Sequence, residues 1–458
     1  MLLRFLVSLL VMAMPDITLP PVLIDTGGVQ FSAQRSAFFH NPYFQGPYVV
    51  GQNLYVVLQA TQAPVTMTVF KSTDGGNTWA QQDAANAPAF TGSFQTRATA
   101  RLSPDGFTLV IAFNPTASSN PTVVRFATFD CSGAPGDGHT DTYSFPYPDL
   151  SGNDASFGSG LRSFDMTVRQ SGNPIVAWAK IIAPNTTQQD MGYQECIAGV
   201  WSAYVSVAAA SEAGQFGWQV PALEVNPADG LLEWFVQRNH IGNEDDYYLN
   251  MTTGNVASVP ALIRAADPNQ RKAYGKPVVS AAQDAVFLPV FIQPGGGGAY
   301  IMRVYRGTPA AAPVFDAGTD LDAGPTAASL FDWSAGHVMT VGADVWAVWI
   351  NWPAAGGTVL QLLRSINTAG VWGAVDVFYD MDSNPPNVLP SASQRIVGGC
   401  VGEIGAGGLL GGIISCNNFD NTRFEAYFLL QAVAPPVPAA PVVTISGALL
   451  CVRRRRCD

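Results

Sequence analysis

A long-period repeat of β-strand signals constrains this chain more than any other feature. Each unit starts with a short strand, makes a polar or glycine turn, and continues into a strongly apolar strand. Pro47-Tyr48-Val49-Val50, the turn Gly51-Gln52-Asn53 and Leu54-Tyr55-Val56-Val57-Leu58 form the first unit. The same order recurs at Ala100-Arg101-Leu102 with residues 109–113, Met166-Thr167-Val168 with 174–178, and Leu223-Glu224-Val225 with 231–235. It returns at Pro277-Val278-Val279 with 286–291, at His337-Val338-Met339 with 345–350, and more weakly at Arg395-Ile396-Val397 with 409–414. Successive apolar strands are spaced by roughly 54–66 residues, at the kelch-like end of known propeller periods.

A second strand pair fills the rest of each unit, as in 65–70, 123–127, 299–304 and 358–363. The apolar strands read hydrophobic on both faces, as strands covered by neighbouring sheets do. Charged residues make up only 12% of the chain, against about 25% in an average soluble protein. Two β-sandwiches fit the alternation of strands and turns, but the repeated order of elements favours one closed ring. The expected fold is all-β: a single β-propeller of about seven four-stranded blades, with extended N- and C-terminal arms. The expected boundaries are an apolar leader or arm plus an opening strand over 1–28, the propeller over 29–432, a proline-rich linker over 433–441, and a C-terminal strand with a basic tail over 442–458.

One hairpin corner stands out inside the first unit. Ser72, Asp74, Gly76, Thr78 and Trp79 follow the pattern Ser-x-Asp-x-Gly-x-Thr-Trp. Ser and Asp side chains hold tight turns by bonding nearby backbone groups, and glycine takes positive φ without a Cβ clash. Trp79 can then bury its ring against a neighbouring hairpin. This stretch resembles the Asp-box of sialidase-like (BNR-repeat) β-propellers, which is a folding device shared by hydrolases and binding modules alike. Ser365-Ile366-Asn367 with Gly370 and Trp372 looks like a decayed copy. The resemblance implies, for an active sialidase, an arginine triad, a Tyr nucleophile with a Glu partner, and an Asp acid/base. No Arg-Ile-Pro motif stands near the first unit, where Arg35 is the lone arginine. Tyr247 and Tyr248 follow Glu244, Asp245 and Asp246, a tyrosine beside carboxylates that also reads as a solvated loop.

Other chemistry is sparse. Asp380, Asp382 and Asn384 alternate like calcium ligands but lack the following Gly and the distal Glu, and Asp320, Asp322 and Gly324 are weaker still. His40, His139, His240 and His337 are scattered without ligand spacing. No cofactor is expected. Among the six cysteines, Cys400 and Cys416 flank a glycine-rich turn where a cross-strand disulfide is geometrically open, with buried free thiols as the alternative. Tyr43, Phe44, Tyr48, Trp201, Tyr204, Trp333 and Trp352 fall near strand ends, where aromatic rings either stack on sugars or pack between blades. The net charge of −11 argues against nucleic acid as a partner.

Residues 1–14 read either as a short signal peptide or as an apolar arm, and are too short to span a bilayer. The expectation from these features is a non-catalytic propeller acting as a structural, receptor-binding or carbohydrate-binding part of an extracellular or virion assembly, such as a phage tail. Its partners would be other subunits of an oligomer, reached through the terminal arms, and a glycan. The alternative is a secreted sialidase-type glycoside hydrolase or a carbohydrate-binding surface protein.

Overall fold

The structure, a computed structural model, describes residues 21–25, 44–60, 65–90, 98–115, 123–133, 141–151, 164–181, 189–208, 218–240, 243–250, 261–264, 271–274, 277–293, 301–309, 314–323, 336–351, 361–380, 394–405, 409–418 and 424–430. The leader over 1–14, the linker over 433–441 and the tail over 442–458 lie outside the described residues.

The described strands form seven antiparallel sheets. In the first sheet, Phe44–Val50, Asn53–Ala60, Val65–Ser72 and Ala80–Gln81 lie side by side in chain order. The first strands of the second, third and fourth sheets are Ala98–Leu102, Phe164–Val168 and Trp218–Val225. In the fifth sheet the first strand is split into Arg271–Tyr274 and Val278–Ser280, both paired with Ala285–Gln293. Gly336–Val341 and Gln394–Gly405 open the sixth and seventh sheets. Each of these first strands touches the first strand of the next sheet, and Gln394–Gly405 touches Phe44–Val50. The contacts therefore close a ring, a β-propeller, with the first strands around its axis.

Chain ends close the ring. Val22–Asp25 pairs with Phe424–Leu430 as the outermost strand of the seventh sheet, with Val22 opposite Phe428. The opening strand of the 1–28 segment is thus built into a sheet, and does not belong to a free arm. Pairing the start of the chain with its last described strand leaves that outer position filled.

Uniform four-stranded blades, the expectation from the repeat, are not what forms. Five of the sheets carry five strands and two carry four. The extra strands are short outer segments or halves of a broken strand. In the first sheet, Ala80–Gln81 and Ala89–Phe90 both pair with Val65–Ser72. A turn separates them, with Asp83 at φ 41° and the Asn86 amide bonded to the Asp83 carboxylate. The repeat signal is blind to two-residue strands, because periodicity needs several residues to show.

The core lies in the seams between sheets. Tyr55, Val57 and Val69 of the first sheet meet Leu109, Ile111 and Phe113 of the second, all fully buried. Trp234 and Trp349 are among the largest fully buried side chains. They stand on second strands, which are covered on both faces, and that is why these strands are apolar throughout.

The 72–79 corner sits between the third and fourth strands of the first sheet. The Ser72 hydroxyl donates to Asp74 Oδ1 at 2.8 Å and accepts from Gly76 N–H at 2.8 Å. Asp74 takes the Thr78 N–H at 2.9 Å and the Thr78 hydroxyl at 2.7 Å. The Trp79 indole N–H donates to Gly76 O at 3.0 Å, and its ring packs on Phe428 with centroids 5.1 Å apart. The corner of the first sheet therefore leans on the last strand of the seventh, across the place where the ring closes.

The Thr78 side-chain bond, its backbone bond and the Ser72 hydroxyl hold the Asp74 carboxyl below the ordinary carboxylate range. A depressed folded-state pKa contributes stability above the unfolded value, which is lost as pH falls through the folded value. Asp74 is exposed, so the contribution is small. Melting temperatures recorded from neutral to strongly acidic pH should fall more steeply for the native chain than for Asp74→Asn. Parallel curves would remove Asp74 from the acid response.

Candidate functional site

Each first strand pairs antiparallel with its second, as across the turn at Gly51, so the beginnings of the first strands share the opposite end of the axis. At the axis, side chains of the first four sheets interlock. The Tyr48 hydroxyl donates to Ala100 O on the neighbouring first strand at 2.8 Å. The Arg101 guanidinium turns back along its own strand: Nη1 donates to Thr99 Oγ1 at 3.0 Å and Ala100 O at 2.9 Å. Its Nη2 reaches both oxygens of Asp165 at 3.4 Å. Asp165 is 4% exposed and is the hub of the cluster. Its Oδ1 accepts from Thr99 Oγ1 at 3.3 Å and from Met166 N–H at 2.9 Å, and its Oδ2 accepts from Leu223 N–H at 2.8 Å. Burial lowers the Arg101 pKa, but the charges of Asp165 and Glu224, together with Tyr48, outweigh it and raise the pKa above its ordinary value. The guanidinium stays charged.

The beginnings of the first strands carry a second group of cations. Arg271 and Lys272 start the fifth sheet, His337 is the second residue of the sixth, and Arg395 the second of the seventh. Five other cations face acids across the strands: Lys180 opposite Asp190, Arg238 opposite Asp245, Arg264 opposite Asp246, Arg303 opposite Asp320, Arg364 opposite Asp376. Opposite charges in register are the ordinary arrangement of a sheet. Arg271 faces Gln293, Lys272 faces Ile292 and Arg395 faces Asn417. In the sequence, Arg97 and Arg162 stand just ahead of the first strands of the second and third sheets.

A different polar cluster joins the first and second sheets away from the axis. Lys71 Nζ lies 2.8 Å from Asp141 Oδ2, which also accepts the Tyr55 hydroxyl at 2.9 Å. Burial first, then the Cys131 and Asp141 charges, push the Tyr55 phenol far above its usual pKa, so it remains a donor.

Sequence candidates scatter over this frame. Ser72, Asp74, Gly76, Thr78 and Trp79 are at the turn end of the first sheet, committed to one another. Glu244, Asp245, Asp246, Tyr247 and Tyr248 form part of Asn243–Asn250, the third strand of the fourth sheet, so the expected loop is a strand. Asp320 is paired with Arg303. Asp382, Asn384 and Gly324 lie outside the described residues, as do His40, His139, Tyr43, Trp333 and Trp352. Among the described residues, no three His, Cys, Asp or Glu side chains converge to hold a metal. Trp201 and Tyr204 pack between sheets, on Phe126 and Trp178, with their polar atoms bonded to Pro148 O and to Trp178 O and Asp190 O. Cys131 and Cys196 are buried free thiols. Cys400 faces Ile413 and Cys416 faces Ile396. That offset is about 10 Å along the strand, beyond the ~7 Å Cα separation a disulfide spans. No described helix is long and apolar enough to cross a membrane.

No family model matches the sequence, and no curated protein matches it. Solved structures do. The polysaccharide lyase Uly1 superposes with a TM-score of 0.50 at 11% identity, covering 92% of this chain and 99% of that one. A PL25 ulvan lyase, solved bound to -[GlcA(1-4)Rha3S]-, gives 0.51 at 10% identity, covering 91% and 96%. At such identities the likeness is one of fold, a β-propeller akin to those of carbohydrate-active enzymes. The expectation of a non-catalytic structural or receptor-binding role, in a virion or elsewhere, is corrected on this finding. Two of the folds that follow this chain almost end to end belong to polysaccharide lyases.

Proposed function

We propose that this chain is an enzyme that cleaves an acidic polysaccharide by β-elimination at the strand-start end of the propeller axis. The observation that carries this reading is the placement of Arg271, Lys272 and Arg395 at the beginnings of the first strands of the fifth and seventh sheets. Elimination from a uronate removes the proton α to the carboxylate, and negative charge develops on that carboxylate. Cations placed at this charge lower the barrier. The electron pair of the broken C–H bond forms a C=C bond, and the glycosidic oxygen departs and takes a proton. His337 lies on the first strand between the two cationic ones, and imidazole exchanges protons near neutral pH. It is assigned the role of base. The fold likeness to lyases supports the reading by analogy. The bonds of the 72–79 corner support descent of the scaffold from sialidase-like propellers, with no part in the chemistry. An extracellular location belongs to the same reading, because such substrates are too large to enter a cell.

The test is incubation of the purified chain with a panel of uronate-containing polysaccharides. Ultraviolet absorbance of the unsaturated product and new reducing ends are followed together, and both should rise. Reducing ends without absorbance would replace elimination by hydrolysis, and neither signal on any glycan would overturn the reading. His337→Gln should lower kcat by about 100-fold or more with KM retained. An unchanged kcat would remove the histidine from its role.

A further inference from the structure

Arg101 is a guanidinium at the axis, and its surroundings argue that it does not bind substrate. A guanidinium has five N–H groups. Two on Nη1 are spent on Thr99 Oγ1 and Ala100 O, and those on Nη2 on the two oxygens of Asp165. Nε is buried without a partner, where no ligand atom reaches it. The side chain as a whole is 15% exposed. A substrate carboxylate would have to displace Asp165, a carboxylate already in place and holding three other donors.

Asp165 has a function of its own in this geometry. Its acceptors receive a hydroxyl and a guanidinium from the second sheet, its own neighbour's N–H in the third, and the Leu223 N–H from the fourth. Leu223 stands on a first strand, whose outer edge has no further strand beside it. Such an edge N–H needs a partner from outside its own sheet. Tyr48 serves the Ala100 carbonyl in the same manner, so the first four sheets are joined in sequence at the axis.

We infer that Asp165 and Arg101 form an internal strut that fixes the spacing of the first strands of the second, third and fourth sheets, and so positions one side of the axial site. Both are positioning residues, and substrate charge is met by other cations. Only the activity part of the test rests on the lyase reading.

Asp165→Asn keeps the shape and cannot keep the bonds. Whichever way the amide is turned, its NH2 faces a donor, either Leu223 N–H or the Thr99 hydroxyl and Met166 N–H. Amide hydrogen exchange of the full chain should show whichever of Leu223 and Met166 faces the NH2 exchanging about tenfold faster or more. Val348, in the sixth sheet, should be unchanged. Unaltered rates at both Leu223 and Met166, or equal acceleration in every sheet, would overturn the inference. In the activity part, Arg101→Gln, which removes the charge, should leave the salt dependence of KM as it is in the native chain, because Arg101 meets no substrate charge. A flattened salt dependence would show that Arg101 contacts the substrate charge, and would overturn it also. Should the native chain cleave no polysaccharide, the lyase reading fails, and the Leu223 and Met166 exchange rates still decide the strut.

Discussion

Alanine at Arg271, Lys272 and Arg395 together is expected to reduce kcat/KM on an acidic polysaccharide by about 100- to 1,000-fold. The three residues begin the first strands of the fifth and seventh sheets, where the ring brings separate parts of the chain to one end. Losing a cation that meets developing charge raises the barrier, and losing one that meets ground-state charge raises KM. Both should be seen, with the rise in KM greatest at low salt, where exposed charges act furthest. A triple variant that cleaves at the native rate would place the substrate elsewhere on the molecule.

Gly76→Ala is expected to destabilise the propeller by roughly 2–4 kcal/mol, combining left-handed strain with overpacking. Gly76 has φ +97°, a conformation that L side chains rarely adopt. A Cβ there would overlap the Phe428 ring, whose strand pairs with Val22–Asp25 at the closure of the ring. The substitution therefore acts on two places together: the 72–79 corner and the seam between the first and seventh sheets. Gly75→Ala is the internal control. It has φ +71° but no atom within 4 Å of the added carbon, so it should show the conformational strain without the overlap. Thermal or denaturant unfolding should rank native, Gly75→Ala, Gly76→Ala in falling stability. Equal losses would mean that the Phe428 contact contributes nothing to closure.

The strand framework was legible because two signals coincide in each unit. Apolar runs such as 54–58 and 345–350 fall inside Asn53–Ala60 and Asp344–Asn351, and the turns before them carry Gly51 and Gly342 at positive φ. Outer strands were not legible, since pairs such as Tyr143–Ser144 and Leu150–Ser151 are too short for periodicity. The calcium-like alternation at Asp320 misled because a sheet puts the same alternation to another use, pairing Asp320 with Arg303 across strands. The axial residues escaped notice for a topological reason. Arg271, His337 and Arg395 are far apart in the chain, and only ring closure brings their strands together. One signal was present: aligned by repeat, several units place a cation at or just before the first strand, at Arg97, Arg162, Arg271 and Arg395. A lone arginine says little, but its return near the start of several first strands marks an end of the axis.

The most direct measurement is amide hydrogen exchange with and without a short uronate oligosaccharide that the native chain binds. Protection on binding should concentrate at the beginnings of the first strands, in Arg271–Tyr274, in Gly336–Val341 around His337, and in Gln394–Gly405 around Arg395. Protection confined to the turn end, at the 72–79 corner and the hairpins beside it, would contradict an axial site at the strand-start end.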